Sequence, residues 1–191
     1  MSIAFNPSGD LVATAGADDT VDLCHAATGR LFSQPILAEQ GQVMSVAFNP
    51  RGNSLATGGD DGTVKLWDLS GKEVGKFVGH QSKVLDVRFS PDGEFIATAS
   101  ADGTVRLWLA SGDQVNQYTA RRGFLAEEAL GGSFGAAGLS LSPDGRKIAI
   151  AQSDDTVLVS RVQSLGELLD AACGWLGPYL ATHPDAPRVC Q

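Results

Sequence analysis

The sequence predicts an all-β chain built from four copies of one antiparallel sheet, followed by a short helical tail. Three observations predict it: a motif recurring at fixed spacing, short runs in which apolar and polar residues alternate, and turn signals between those runs. Phe48 and Phe89 are 41 residues apart, and so are Trp67 and Trp108. Self-similarity at a period of about 20–50 residues marks a repeat architecture. Alternation at period two marks strands with one buried face.

The first copy starts at Ile3-Ala4-Phe5-Asn6-Pro7, turns at Gly9, and continues through Val12-Ala13-Thr14 and Asp18-Asp19-Thr20-Val21-Asp22-Leu23. Leu31, Phe32, Ile36 and Leu37 supply its outer strand. The second runs through Met44-Ser45-Val46-Ala47-Phe48-Asn49-Pro50, Gly52, Leu55-Ala56-Thr57 and Asp61-Gly62-Thr63-Val64-Lys65-Leu66-Trp67. The third is the most complete. Leu85, Val87 and Phe89 alternate with Asp86 and Arg88, which places the three apolar residues on one buried face. Ser90-Pro91-Asp92-Gly93 reads as a type I turn, with Pro presetting φ at its second corner. Phe95 to Ala99 forms the next strand, and Asp102-Gly103 is a hairpin turn in which Gly supplies the positive φ. Val105 and Leu107 resume the alternation, with Trp108 on the other side. The fourth copy passes through Leu139, Leu141, Ser142-Pro143-Asp144-Gly145, Ile148-Ala149-Ile150 and Asp154-Asp155-Thr156-Val157-Leu158-Val159, and has no evident outer strand. The repeat region is expected over 1–161, in copies at about 1–38, 39–79, 80–120 and 137–161, with 121–136 inserted before the last.

The period, Gly79-His80 opening one copy and Trp67-Asp68 closing another resemble the WD40 repeat, whose copies run about 40–45 residues. The resemblance implies a β-propeller, in which four-stranded antiparallel blades surround a central channel. Here it would be a partial propeller of about four blades, and a docking platform without chemistry of its own. It also implies a buried hydrogen-bonded chain in each blade, carried here by His80, Thr98, Asp102 and Trp108. In the second copy Thr57, Asp61 and Trp67 match, while Ala38-Glu39-Gln40-Gly41-Gln42 lacks the Gly-His pair. In the first, Thr14 and Asp18 match, and Cys24-His25 stands where Trp67-Asp68 stands. In the fourth only Asp154 does, with Ile150 and Ser160 in the other places. This chain is read as a brace, because a buried carboxylate is costly unless its acceptors are used. Ser100, His80 and Asp102 have the residue types of a catalytic triad, but no oxyanion motif accompanies them, so no catalytic residue is assigned.

The formal net charge of −8 argues against a nucleic-acid ligand, whose binding rests on Lys and Arg. Three cysteines are too few and too odd a set for a disulfide framework, and whether Cys173 pairs with Cys190 stays open. No signal peptide is evident, and no run approaches the roughly 20 apolar residues of a membrane span. A cytoplasmic protein with no membrane contact is expected. His25, His80 and His183 lack metal-ligand spacing, and no cofactor is expected.

In the tail, 162–191, Ser164-Leu165-Gly166-Glu167 forms a capping box. Leu165, Leu168, Leu169, Ala172, Leu176, Tyr179 and Leu180 then share one helical face, expected to pack on the last blade. Leu168, Leu169, Cys173, Trp175, Leu176, Tyr179, Leu180, Pro184 and Cys190 resemble the end of long bacterial WD40 proteins, many of which carry an NTP-hydrolysing signalling module. That implies an alternative role as the sensor segment of a signalling NTPase. The chain itself holds no G-x-x-x-x-G-K-[ST] loop, so the catalytic module would lie elsewhere. The leading expectation is a non-catalytic protein–protein interaction scaffold, a C-terminal fragment of a larger propeller. Four blades leave two apolar sheet faces uncovered, which marks an interface with further blades or a second copy of the chain. The expected contact residues are Asp60, Gln81, Ser82, Lys83 and Ala101, with Arg121, Arg122, Phe124 and Phe134 in the insertion.

Overall fold

A computed structural model describes residues 2–110, 114–119, 136–152 and 156–162, excluding the side chains of 114–119, 136, 137 and 152. Among the described residues all regular structure is strand, arranged as four antiparallel sheets. The first holds β1 (Ser2–Phe5), β2 (Leu11–Ala15), β3 (Thr20–His25) and β4 (Ile36–Leu37). The second holds β5 (Val43–Phe48), β6 (Ser54–Gly59), β7 (Val64–Asp68) and β8 (Glu73–Phe77). The third holds β9 (Val84–Phe89), β10 (Phe95–Ser100), β11 (Thr104–Leu109) and β12 (Gln114–Thr119). The fourth holds β13 (Ala136–Leu141), β14 (Lys147–Gln152) and β15 (Val157–Arg161). Strands within each sheet follow chain order, as consecutive hairpins require. The tail, with its expected helix and the residues carrying the signalling-NTPase resemblance, lies outside the described residues, as do Cys173 and Cys190.

The alternation read for the third copy needs one correction. Leu85 does not share the buried face of Val87 and Phe89; Val84 and Asp86 are buried instead. The register slips between Ala99 and Ser100, which pair with Asp86 and Val84 and leave Leu85 as an extra residue. A bulge of this kind re-aims the side chains on one side of it. The same slip recurs between Val43 and Ser45 and between Ala136 and Gly138, so it belongs to the module.

The cores lie between sheets. Val21 and Leu23 of β3 and Ala13 and Ala15 of β2 pack with Val46, Phe48 and Leu55 of the next sheet. Val64 and Leu66 meet Val87, Phe89 and Ile96, and Val105 and Leu107 meet Leu139, Ile148 and Ile150. Each of the first three sheets therefore supplies a Val-Leu pair to the sheet that follows it. Burying one such side chain is worth about 1.5–3 kcal/mol.

The first strands β1, β5, β9 and β13 adjoin in order and are tied by side-chain hydrogen bonds. The Ser2 hydroxyl accepts from the Val46 N–H at 3.2 Å, and the Ser45 hydroxyl accepts from the Val87 N–H at 3.2 Å. The Asp86 carboxylate accepts from the Leu139 N–H at 3.0 Å. Asp86 stands level with Ala99, on the side of the strand away from Val87, and so faces the fourth sheet to make this bond; the Ser45 hydroxyl also donates to it at 3.3 Å. At the opposite end of the sheets the β-turns stack. A Cβ on Gly52 would stand 3.7 Å from Pro7, one on Gly93 would run into Asn49, and one on Gly145 would stand 3.4 Å from Pro91.

Candidate functional site

The residues chosen from sequence as partner contacts come from three places that the fold brings together. Asp60 sits at the β6–β7 hairpin, Gln81, Ser82 and Lys83 on the connection into β9, and Ala101 at the β10–β11 hairpin. The Lys83 ammonium pairs with the Asp60 carboxylate, both partly exposed. The Ala101 N–H donates to the Lys83 carbonyl at 2.9 Å, and the Ser100 hydroxyl donates to the Ser82 carbonyl at 3.0 Å. The Gln81 N–H donates to Asp102 at 2.9 Å. A Cβ on Gly62 would lie 3.0 Å from the carbonyls of both His80 and Ser82, so only glycine lets the two loops approach this closely, and its φ of +80° suits it further. Arg121, Arg122, Phe124 and Phe134 lie outside the described residues. They belong to the connection between β12 and β13, the topological equivalent of the one that carries Gln81–Lys83.

Beneath this surface runs a directed hydrogen-bond chain. The Trp108 indole N–H donates to the Thr98 hydroxyl at 2.9 Å, and that hydroxyl lies 2.7 Å from His80 Nε2. His80 Nδ1 lies 2.9 Å from the Asp102 carboxylate. With the proton on Nδ1, every member is satisfied: Trp108 donates to Thr98, Thr98 to His80, and His80 to Asp102. Asp102 also accepts the N–H and hydroxyl of Thr104 at 2.8 and 2.7 Å, which pins the hairpin. Gly79 is required beside His80, because a Cβ there would lie 2.6 Å from the Arg106 guanidinium and 3.0 Å from the Trp108 ring.

The electrostatics agree with a neutral imidazole held against an ionised carboxylate. Burial holds the His80 ring below its ordinary pKa of 6.5, against the pull of Asp102. Burial pushes Asp102 up, but hydrogen bonds from Thr104, the Gln81 N–H and His80 outweigh it and bring the carboxyl down to about 2. Ser100 takes no part with His80; its hydroxyl serves the Ser82 carbonyl and the Asp102 N–H. The His80 side chain is fully buried, so the triad-like set is a closed bracket between loops.

In the second sheet Thr57, Asp61 and Trp67 form the matching chain, with a member that the sequence reading missed. The Trp67 indole donates to the Thr57 hydroxyl at 2.9 Å, and that hydroxyl donates to the Gln40 carbonyl oxygen at 2.6 Å. Gln40 Nε2 then donates to the Thr63 carbonyl and hydroxyl at 2.9 and 3.1 Å. The amide thus does what the imidazole does, with an acceptor toward Thr and a donor toward the hairpin. Gln40 precedes Thr57 by 17 residues where His80 precedes Thr98 by 18, so strict register places Glu39 opposite His80. Asp61 accepts the Thr63 N–H at 2.9 Å. In the first sheet, among the described residues, the Asp18 carboxylate accepts only the Thr20 N–H, at 3.3 Å. Asp154 lies outside the described residues.

Comparison with known families adds one finding. Segments 1–23, 33–68 and 71–108, together just over half of the 191 residues, match the WD40 model, described as WD domain, G-beta repeat. The fourth sheet lies beyond the matched segments. No curated protein matches the chain. Repeating four-stranded sheets, the His-Thr-Trp and Gln-Thr-Trp braces and the family match agree, and the chain belongs to the WD40 repeat family.

Proposed function

We propose that the chain is a non-catalytic interaction platform that grips partner proteins through the loop surface formed by Asp60, Gln81, Ser82, Lys83 and Ala101, together with the insertion carrying Arg121, Arg122, Phe124 and Phe134. The observation that supports this reading is the bracing of those loops. Gln81 and Lys83 are exposed, yet their backbone is fixed from below through Asp102, Ser100 and Ala101. A preorganised loop loses little entropy when a partner binds, so more of its contact energy appears as affinity. The partly exposed Lys83–Asp60 pair contributes little to stability by itself, which leaves the Lys83 ammonium open to exchange its partner. Four blades with exposed apolar residues on the outer faces of the first and last fit a part of a larger propeller.

The test is an affinity capture with three baits: the intact chain, a Gln81→Ala/Lys83→Glu variant, and a chain lacking 121–134. Proteins retained by the first and lost from the second and third support the platform. Identical retention by all three overturns it.

A further inference from the structure

The two braces beneath the loop surface differ in one chemical property: one takes up a proton in mild acid and the other does not. In blade three the Thr98 hydroxyl donates to His80 Nε2 at 2.7 Å, so that nitrogen has to stay bare. In blade two the Gln40 carbonyl oxygen fills the same place, 2.6 Å from the Thr57 hydroxyl, and an amide does not titrate in this range. The two loops also differ in what holds them. Asp102 Oδ2 takes both His80 Nδ1 and the Gln81 N–H, each at 2.9 Å, so the ring and the start of the exposed loop hang on one oxygen. The corresponding stretch of blade two is held apart from any imidazole. The Gln40 N–H donates to Asp19 at 2.9 Å, and the Gln42 carbonyl accepts from the Asp60 N–H at 2.9 Å.

We propose that His80 is a proton-operated latch on the Gln81–Lys83 side of the loop surface: proton uptake lets that side come away from Asp102, while the Gln40–Gln42 side, held by an amide, stays in place. The added proton goes to Nε2, because Nδ1 already carries one. The new N–H then faces the Thr98 oxygen, onto which the Trp108 indole already donates at 2.9 Å. The Thr98 hydroxyl has to turn to the Arg106 carbonyl at 3.4 Å, so the shortest bond of the brace is exchanged for a long one. The charged ring would also be fully enclosed. Among the described residues, Asp102 of the β10–β11 hairpin favours the cation and Arg106 of β11 opposes it. Asp60 and Asp61 of the β6–β7 hairpin and Lys83 of the ring's own connection stand nearer the solvent, with Asp60 and Lys83 paired. Burial and Arg106 outweigh Asp102 and hold the ring below its ordinary value of 6.5, to which a released ring returns. The released state therefore binds more protons, and acid favours it. What the latch regulates rests on the platform reading: a partner gripping Gln81 and Lys83 is held near neutral pH and let go in mild acid.

The test is nuclear magnetic resonance on the full chain without any partner, between about pH 8 and pH 5, reading amide protection factors and the His80 ring shifts together. The Gln81 N–H and the Ala101 N–H, which donates to the Lys83 carbonyl, are expected to lose protection along the His80 titration. The loss at pH 5 is at most about 30-fold, the limit for a ring that binds a proton at 6.5 when released and none when latched. The Gln40 and Asp60 N–H groups are expected to keep their protection throughout. His80→Gln is expected to hold all four constant; if it does not fold, the contrast between the two pairs of amides in the parent chain decides. Protection of Gln81 and Ala101 that is unchanged at pH 5 overturns the proposal. So does an equal loss at all four amides, a loss that persists in a folded His80→Gln, or a ring that titrates while the amides stay protected. Because no partner is present, a failed latch leaves the affinity capture untouched, and a failed capture leaves the latch untouched.

Discussion

Thr98→Val tests the brace at its centre. The Thr98 hydroxyl is fully buried, accepts from the Trp108 indole at 2.9 Å and donates to His80 Nε2 at 2.7 Å. Valine keeps the shape and removes the oxygen, leaving a buried donor and a buried acceptor with no partner. Each such group costs about 1–3 kcal/mol. Part of that is recovered, because valine itself is easier to desolvate than threonine. The net destabilisation should be about 2–4 kcal/mol, which for a domain of this size lowers Tm by roughly 5–15 °C. The assay is urea denaturation followed by tryptophan fluorescence. The control is Thr14→Val, at the same register in blade one, where Cys24 replaces the tryptophan and the threonine is half-buried. That change should stay within about 0.5 kcal/mol. Equal losses for the two substitutions would refute the claim that Thr98 acts as a hydrogen-bond hub and not as a generic core residue.

Further expectations concern pH, packing and backbone. Burial holds the His80 pKa below 6.5, so below that value the unfolded chain binds more protons and stability falls as the medium is acidified. His80→Gln, which copies the Gln40 arrangement, should flatten the fall in Tm between about pH 7 and 5, and unchanged slopes would contradict it. The Asp102 share is full above 3.8 and is lost as pH falls toward its folded pKa of about 2, so it should persist in that variant at pH 5. Gly58→Ala should destabilise by about 1–3 kcal/mol although alanine stands at this register in blades one and three, because its Cβ would lie 2.6 and 2.7 Å from Val84 and Val87. Asp19 holds a φ of +62° and accepts the Gln40 N–H at 2.9 Å. Asp19→Ala should therefore lose more stability than Asp19→Gly in thermal melts, since glycine relieves the backbone strain while both lose the bond.

The repeat was legible because strand alternation, turns with Asn or Ser before Pro and Gly two residues after it, and Asp-Gly or Asp-Asp hairpin signals are local, and they return in register in each copy. Thr57, Asp61, Trp67, His80, Thr98, Asp102 and Trp108 were legible because the brace needs those functional groups at set positions. Gln40 was missed because a one-residue offset hid it and an amide replaced the imidazole whose role it fills. Asp86 was misjudged for a different reason. Alternation put Asp86 opposite Val87 and Phe89 and so outside, but the sheet is covered on both faces and that side meets blade four. The bulge, which adds a residue without changing composition, misled only the reading of Leu85. The open faces were foreseeable from counting blades, but only burial shows that Ile3, Phe5, Val157 and Val159 lie exposed on them.

Amide hydrogen exchange measured residue by residue tests most directly whether the modules form one rigid stack presenting a fixed loop surface. The N–H groups of Val46 and Val87 should exchange as slowly as those of core strand residues, because the hydroxyls of Ser2 and Ser45 hold them across blade joints. The Leu139 N–H, held by Asp86, and the exposed Gln81 N–H, held by Asp102, should be protected as well. Exchange of these four amides at the rate of free strand edges and open loops would contradict the account.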